Sequence, residues 1–333
     1  SAGYDANSTH VVGDENNRLN LSLQNTFRVR PELEVTGSFW YTDQRQKNNG
    51  ITGDDLGLFG PYAYTQIYDG LIDVNGQPGI TYSQYRQAYR EQAAENGLLD
   101  WMYRPLQNRS LLDNTAGSRE IRLNAGVRYA VTNDLSINGA YQFVSGNSWE
   151  REYHAPASYF VRNLVNRFTQ PDGTRIIPYG GILELGPPGR SVSHAIRMQA
   201  NINKLINVHH QFTALAGSEI RRRLQDNLPD LRLYDYNDEL WLGQAIFNFA
   251  TYYPTLPSGS AAIPASTRVI PYRTTGHDLS YFGNGAYTYK DKYTLTTSLR
   301  WDGSNLLGVR TNQRGTVLWS LGTSWEVTKE SFF

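Results

Sequence analysis

The chain of 333 residues carries 31 Lys and Arg against 31 Asp and Glu, so no net charge draws it to nucleic acid. Zero cysteines exclude disulfide scaffolds, Cys-based zinc sites and thiol catalysis, while 30 Gly and 23 Tyr point to turn-rich, aromatic-rich β structure. No apolar run approaches the ~18 residues of a membrane helix, but barrel strands, apolar only at every second position, would pass that test unseen.

The first residues, Ser1 to Asp5, hold neither an initiator Met nor a basic-plus-apolar leader, so further sequence upstream is expected. Period-2 alternation then recurs in pairs. Leu19, Leu21, Leu23, Phe27 and Val29 alternate with polar residues, turn at 30 to 32, and return through Leu33, Val35, Gly37, Phe39 and Tyr41. A second pair sets Ile121, Leu123, Ala125, Val127 and Tyr129 against Arg122, Asn124 and Arg128, then turns at 132 to 134 into Leu135, Ile137, Tyr141 and Phe143. A third runs through Ile196, Met198, Ala200 and Ile202 and returns through Val208, His210, Phe212 and Ala214. A fourth turns at Lys290-Asp291-Lys292 between arms spanning 279 to 289 and 293 to 301. A ninth strand carries Val317, Trp319, Leu321 and Trp325.

The connections between pairs are long, at 43 to 118, 147 to 192, 221 to 278 and 303 to 315, and alternate strictly with tight turns. That sorting is expected of an outer-membrane barrel with short periplasmic turns and long extracellular loops. Aromatic residues fall in two belts on the apolar face. Tyr129, Tyr287, Tyr289, Tyr293 and Trp325 lie near the turns, and Phe39, Tyr41, Tyr141, Phe143, Tyr281, Trp301 and Trp319 near the loops. Tyr293 and Trp301 share parity on one strand, which places them roughly 20 Å apart in height, close to an apolar band of about 25 Å. The predicted fold is all-β, an antiparallel transmembrane β-barrel segment. About nine strands do not close a barrel of even number, so residues 1–333 are expected to be part of a larger barrel domain, with Phe333 not its natural end.

Inward parity assigns Arg122, Asn124, Arg128, Asn138, Gln142, Arg197, Gln199 and Asn201 to a hydrated lumen or to contact with a plug. The loop residues Trp101, Tyr103, Arg104, Trp149, Tyr234, Tyr236 and Trp241 are the candidates for touching a substrate or a lid, since aromatic faces stack on sugars or peptide side chains and Arg grips carboxylates; packing of loop on loop is the competing role. Adjacent strand residues point to opposite faces, so His209-His210 does not form a metal site. Asp226, Asp230, Asp235, Asp238 and Glu239 lack a calcium-loop pattern and read as a solvated loop, though calcium takes such oxygen ligands. Arg221-Arg222-Arg223 is either a lipid-headgroup or anion contact or a solvated strand extension. Asp302-Gly303-Ser304 has no nucleophile elbow around it and reads as a turn; no catalytic residue or cofactor is expected.

Tyr281-Phe282-Gly283, Tyr287-Thr288-Tyr289-Lys290-Asp291-Lys292-Tyr293, Arg300-Trp301-Asp302-Gly303-Ser304, and Trp325 followed by Glu330 and Phe332 resemble the closing hairpins of SusC/RagA-like TonB-dependent transporters of Bacteroidetes. Asn305 and Leu318-Trp319-Ser320 depart from that pattern. Ala216-Gly217-Ser218-Glu219 and the hairpin from Arg18 to Val35 echo it more weakly. The resemblance implies a barrel of about 22 strands, a plug and TonB-contacting segment outside these residues, and a SusD-like surface lipoprotein as lid. It implies active import of a glycan or peptide across the outer membrane, embedded in outer-membrane lipids, with no bond made or broken. A passive porin is one alternative. Another is a soluble or surface carbohydrate-binding β protein, or an enzyme using acids such as Glu150 and Glu152.

Overall fold

The computed structural model describes residues 1–51, 56, 70–81, 85–245, 247–266, 271–306 and 315–332. Phe333, part of the 43 to 118 connection and most of the 303 to 315 connection lie outside the described residues.

The chain opens with β1 (Ala2–Ser8), β2 (Asp14–Arg30) and β3 (Leu33–Asn48), followed by the short helices α1 (Gln87–Glu91) and α2 (Pro105–Arg109). β4 (Leu112–Ala130), β5 (Leu135–His154), α3 (Tyr159–Arg167), β6 (Gly181–Leu185), β7 (Gly189–Ile206) and β8 (His210–Asn227) come next. Then follow β9 (Leu231–Asn237), β10 (Leu242–Gln244), β11 (Tyr252–Pro254), β12 (Ser260–Ala262), β13 (Tyr272–Tyr289), β14 (Tyr293–Ser304) and β15 (Gly315–Trp325). The wall runs in the order β1-β2-β3-β4-β5-β7-β8-β13-β14-β15, each pair antiparallel. β6, β9 and β10 extend it at the upper end of β5, and β11 and β12 pair separately.

The expected hairpins are present with their tight turns. At 289–292 the Lys292 amide closes on the Tyr289 carbonyl at 3.0 Å, while Lys290 and Asp291 both take positive φ, the twist a two-stranded ribbon favours. Two expectations need correction. The wall has ten strands rather than nine: β1, with Tyr4 its one large apolar residue, carries no alternation to betray it, yet pairs with β2 from Ala2–Leu21 to Ser8–Glu15. The strands also run farther up than the alternation does. β3 continues to Asn48 and β4 begins at Leu112, because in these upper stretches both faces carry polar residues and side-chain pattern no longer tracks backbone pairing.

The wall is a single layer, and among the described residues nothing packs over its apolar face. Met198, Ile220, Leu299 and Trp319 remain 51%, 56%, 57% and 74% exposed. Register joins them into a continuous apolar surface, as in the row Val35–Val127–Gly139–Met198–Ser218–Tyr281–Trp301–Val317. Near the turns His210, Tyr289, Tyr293 and Trp325 form a run of rings, with centroids 5.0, 6.5 and 6.3 Å apart. Higher up, Tyr281 and Trp301 pair at 5.8 Å. The Trp301 ring lies flat over Gly303 and Gly315, where any Cβ would stand 2.5 and 2.6 Å from it.

Among the described residues every buried apolar side chain lies outside the ten wall strands. Val161, Leu164, Val165, Phe168, Ile177, Ile182, Tyr234 and Ile263 form a cluster in the long connections, which therefore fold into a cap with its own core. α3 presents Val161, Leu164 and Val165 on one face, and the Ser158 hydroxyl accepts from the Val161 amide at its start. Asn166 holds the extended Leu99 backbone in both directions, accepting from its amide at 2.8 Å and donating to its carbonyl at 2.9 Å. Arg162, almost buried, donates to the carbonyls of Ala157 (2.9 Å), Met102 (3.1 Å) and Asp100, which straps the segment around 100 to the helix.

Candidate functional site: lumen wall, cap and rim

The face opposite the apolar one is polar along the wall. Register sets Asn124 opposite Gln142, Arg128 opposite Asn138, and Asn138 opposite Gln199. Gln142 Nε2 donates to Asn124 Oδ1 at 2.9 Å, and Asn124 Nδ2 to Ser38 Oγ at 3.1 Å. Arg197 donates to Gln199 Oε1 at 3.0 Å, Gln199 to Asn201 Oδ1 at 2.5 Å, and Arg122 to Glu120 at 2.8 Å. All eight inward-assigned residues share this face. Other members, named in the sequence only within motifs and not assigned to this face, are reached by the same parity: Glu219 salt-bridges Arg221 at 2.8 Å, and Phe282 carries the Arg197 guanidinium 4.6 Å over its ring. Arg300 Nε grips both Asp302 oxygens at 2.8 and 2.7 Å, and its Nη2 reaches Ser280 Oγ at 3.3 Å. Higher on this face an open concavity of about 380 Å³ is lined by Arg18, Thr42, Glu120, Ser148 and Gln225 among others. Ladders of amides and paired charges stabilise a wet surface that can exchange hydrogen bonds with a passing polar solute.

The aromatic and cationic loop candidates separate by burial. Trp101 and Tyr234 are fully buried and Tyr236 nearly so, so these three hold the cap together and do not meet a solute in this conformation. Trp101 packs between Tyr85 and Tyr89, with centroids at 4.8 and 5.4 Å, and donates to Asn163 Oδ1 at 2.8 Å. Tyr234 donates to the Pro264 carbonyl at 2.5 Å and meets Phe247 edge-on at 5.2 Å. Tyr236 packs edge-on against Tyr153 at 5.9 Å. Tyr103 rests on Tyr159 at 4.9 Å and Arg104 pairs with Asp100 at 2.7 Å, both half-buried. Trp149 stands on β5, not in a loop, lying over Gly117 of the neighbouring strand. Trp241 projects 77% exposed from the turn joining β9 to β10, flanked by the equally outward Leu240 and Leu242.

Three of the five acids named between 226 and 239 are engaged in ion pairs or hydrogen bonds. Asp226 binds Arg273 at 2.6 Å, Asp238 binds Arg151 at 2.5 Å, and Asp235 accepts from Gln244 at 3.2 Å. No group of three or more His, Asp or Glu is placed to share a metal among the described residues. His210 and Tyr287 Oη are 2.5 Å apart on the apolar face, while His209 sits in the turn before β8. Glu150 and Glu152 lie on the upper part of β5, where Glu152 faces Glu184, itself paired with Arg232 at 2.9 Å.

The motif residues at the turn end converge on one carboxylate. Glu330 accepts from Lys292 Nζ at 3.0 Å, Tyr293 Oη at 2.6 Å and Trp325 Nε1 at 3.1 Å. The Tyr293 hydroxyl, with Lys292 and Trp325, pulls the Glu330 carboxyl down to about 2 from an ordinary 4.5. Because the folded value is the depressed one, this clamp is intact above about pH 4.5 and is lost as pH falls toward 2. Trp325 fluorescence should therefore change across that window in the native chain and stay flat in Glu330→Gln. A matching change in the Gln variant would mean another group drives it.

No family model and no curated protein matches the sequence. Among solved structures the chain is similar to one of the RagAB peptide transporter, at TM-score 0.64 and 18% identity over 96% of this chain and 31% of that one. It is similar to the RagAB peptide importer in its open-open state at TM-score 0.65 and 17% identity, over the same shares. At such identity the likeness shows the fold. The chain has the wall architecture of an outer-membrane β-barrel transporter, as the SusC/RagA-like motifs lead one to expect, and it spans about a third of the length of the transporter chains it matches.

Proposed function

We propose that this chain is part of the barrel of a TonB-dependent outer-membrane importer of the SusC/RagA-like kind, which takes up a peptide or oligosaccharide under a SusD-like surface lipoprotein. One observation carries the reading. A single-layer sheet has an apolar face, bounded by two aromatic belts, with no protein over it, and a polar face laced with side-chain hydrogen bonds. Lipid on one side and water on the other is the arrangement that satisfies both. A soluble carbohydrate-binding protein or enzyme would have to cover the apolar face.

The RagAB structures are described as those of a peptide transporter, so a peptide is the first cargo to test. Trp241, Tyr103 and Arg104 in the loops and Trp149 on the upper part of β5 are the residues we assign to cargo or lid contact, and the inward row from Arg122 to Asn201 to the passage below. Calcium in the extracellular loops stays outside this reading. Cells expressing the full-length protein should accumulate a fluorescent oligopeptide, and a protonophore should abolish the uptake. Uptake that survives the protonophore would make the protein a passive porin.

A further inference from the structure

Resting on the membrane reading above, the structure assigns a second site on its lipid-facing side. We propose that Arg222, between His194 and His277, binds the phosphate of an outer-leaflet lipid.

Register puts these three side chains directly opposite one another on β7, β8 and β13, and all three are exposed. Alternation puts them on the apolar face, since the next row toward the turns is Ile196–Ile220–Leu279. Followed sideways, their own row passes through Phe143 and Phe39 of the upper aromatic belt, and on β13 His277 stands four residues above the belt's Tyr281, which puts the row at and just above headgroup level. Immediately above it Val192, Leu224 and Thr275 form one more largely apolar row. Arg222 is thus a cation set into the top of the lipid-facing band.

A guanidinium there is costly unless it snorkels upward or meets an anion. Among the described residues none is nearby. The nearest acids on this face lie two rows up, in the row Asp43–Arg119–Asn147–Arg190–Asp226–Arg273, and both are taken: Arg119 holds Asp43 at 3.3 Å and Arg273 holds Asp226 at 2.6 Å. Asp226 stands four residues from Arg222 on the same strand, roughly 13 Å away. Arg222 has no ion pair among the described residues, whereas Arg221, on the other face of the same strand, is paired with Glu219. The flanking histidines add N–H donors. In the tautomer where His194 Nδ1 accepts from Tyr141 Oη at 2.8 Å, its Nε2 carries the hydrogen. A planar fork of donors between two imidazoles matches a phosphate with several oxygens to place, and the lipid's acyl chains would lie on Ile196, Ile220 and Leu279 below.

The test uses the full-length protein purified in detergent, with native mass spectrometry to read retained lipid. The probes are phosphorylated lipid A and the same lipid A after dephosphorylation. The wild type should prefer the phosphorylated form by about tenfold. Arg222→Gln should erase that preference, and Arg223→Gln, on the lumen side, should keep it. A wild type without preference, or an Arg222→Gln variant that keeps it, overturns the proposal. So does displacement by millimolar inorganic phosphate alone, which would make the site a simple anion pocket. Release of the chain from membranes by alkaline carbonate would instead sink the membrane reading, an outcome distinguishable from loss of lipid preference in a chain that stays embedded.

Discussion

Replacing Val127 by arginine should lower the unfolding free energy of the full-length protein in lipid vesicles by about 2 to 4 kcal/mol, the cost of a cation near the middle of the lipid-facing wall. Val127 is 46% exposed with no protein over it, and its row neighbours are Val35 and, beyond Gly139, Met198. Along β4 it lies between Leu123, level with Phe39 and Phe143 of the upper belt, and Tyr129 beside the turn. The adjacent residue supplies the control. Gly126 faces the lumen, and a Cβ there would meet nothing nearer than 3.8 Å, so Gly126→Arg introduces the same charge at the same depth with room to accommodate it. Its cost should stay within about 1 kcal/mol, because the arginine would emerge into water. Urea titrations of both variants, followed by tryptophan fluorescence, make the comparison. Equal penalties would mean that both faces are wet, and the barrel assignment would fall.

Where one face meets lipid and the other water, the physics writes itself into the sequence as parity, and the wall was legible for that reason. Each of the four hairpins and the strand at Val317 stands where alternation places it, and the eight inward residues share one face. β1 was not legible because its pairing with β2 is made by backbone groups that every residue carries. The tops of β3, β4 and β5 were hidden for the same reason. The cap shows a different limit. Val161, Leu164, Val165 and Phe168 follow i, i+3, i+4, i+7 spacing after a Ser158 cap, a helix signal present in a stretch expected only as a connection. What no local pattern encodes is which aromatic is inside. Trp101 and Trp241 both lie in loop sequence with leucines close by. One is sealed by a helix more than fifty residues away, through Asn163, and the other is left in solvent.

Trp101→Ala should therefore cost the cap about 3 to 5 kcal/mol, the range for emptying a fully buried aromatic site. The loss should be local. The cap core and the ten-strand wall have no buried apolar residue in common among those described, so the cap can open as a unit while the wall keeps its ladder of hydrogen bonds. Two kinds of contact vanish together: the packing against Tyr85 and Tyr89, and the bond from Nε1 to Asn163, which leaves a polar group without its partner. Trp101→Phe divides them. It keeps most of the packing and forfeits the hydrogen bond, for an expected penalty of about 1 to 3 kcal/mol. Trypsin applied to the embedded protein should cut at Arg90 and Arg109 far faster in the Ala variant than in the native chain, with Phe in between. The β-sheet signal in circular dichroism should be unchanged in all three. If the wall signal fell with Trp101→Ala, cap and barrel would be one cooperative unit, and a cap that opens over a standing barrel would have to be given up.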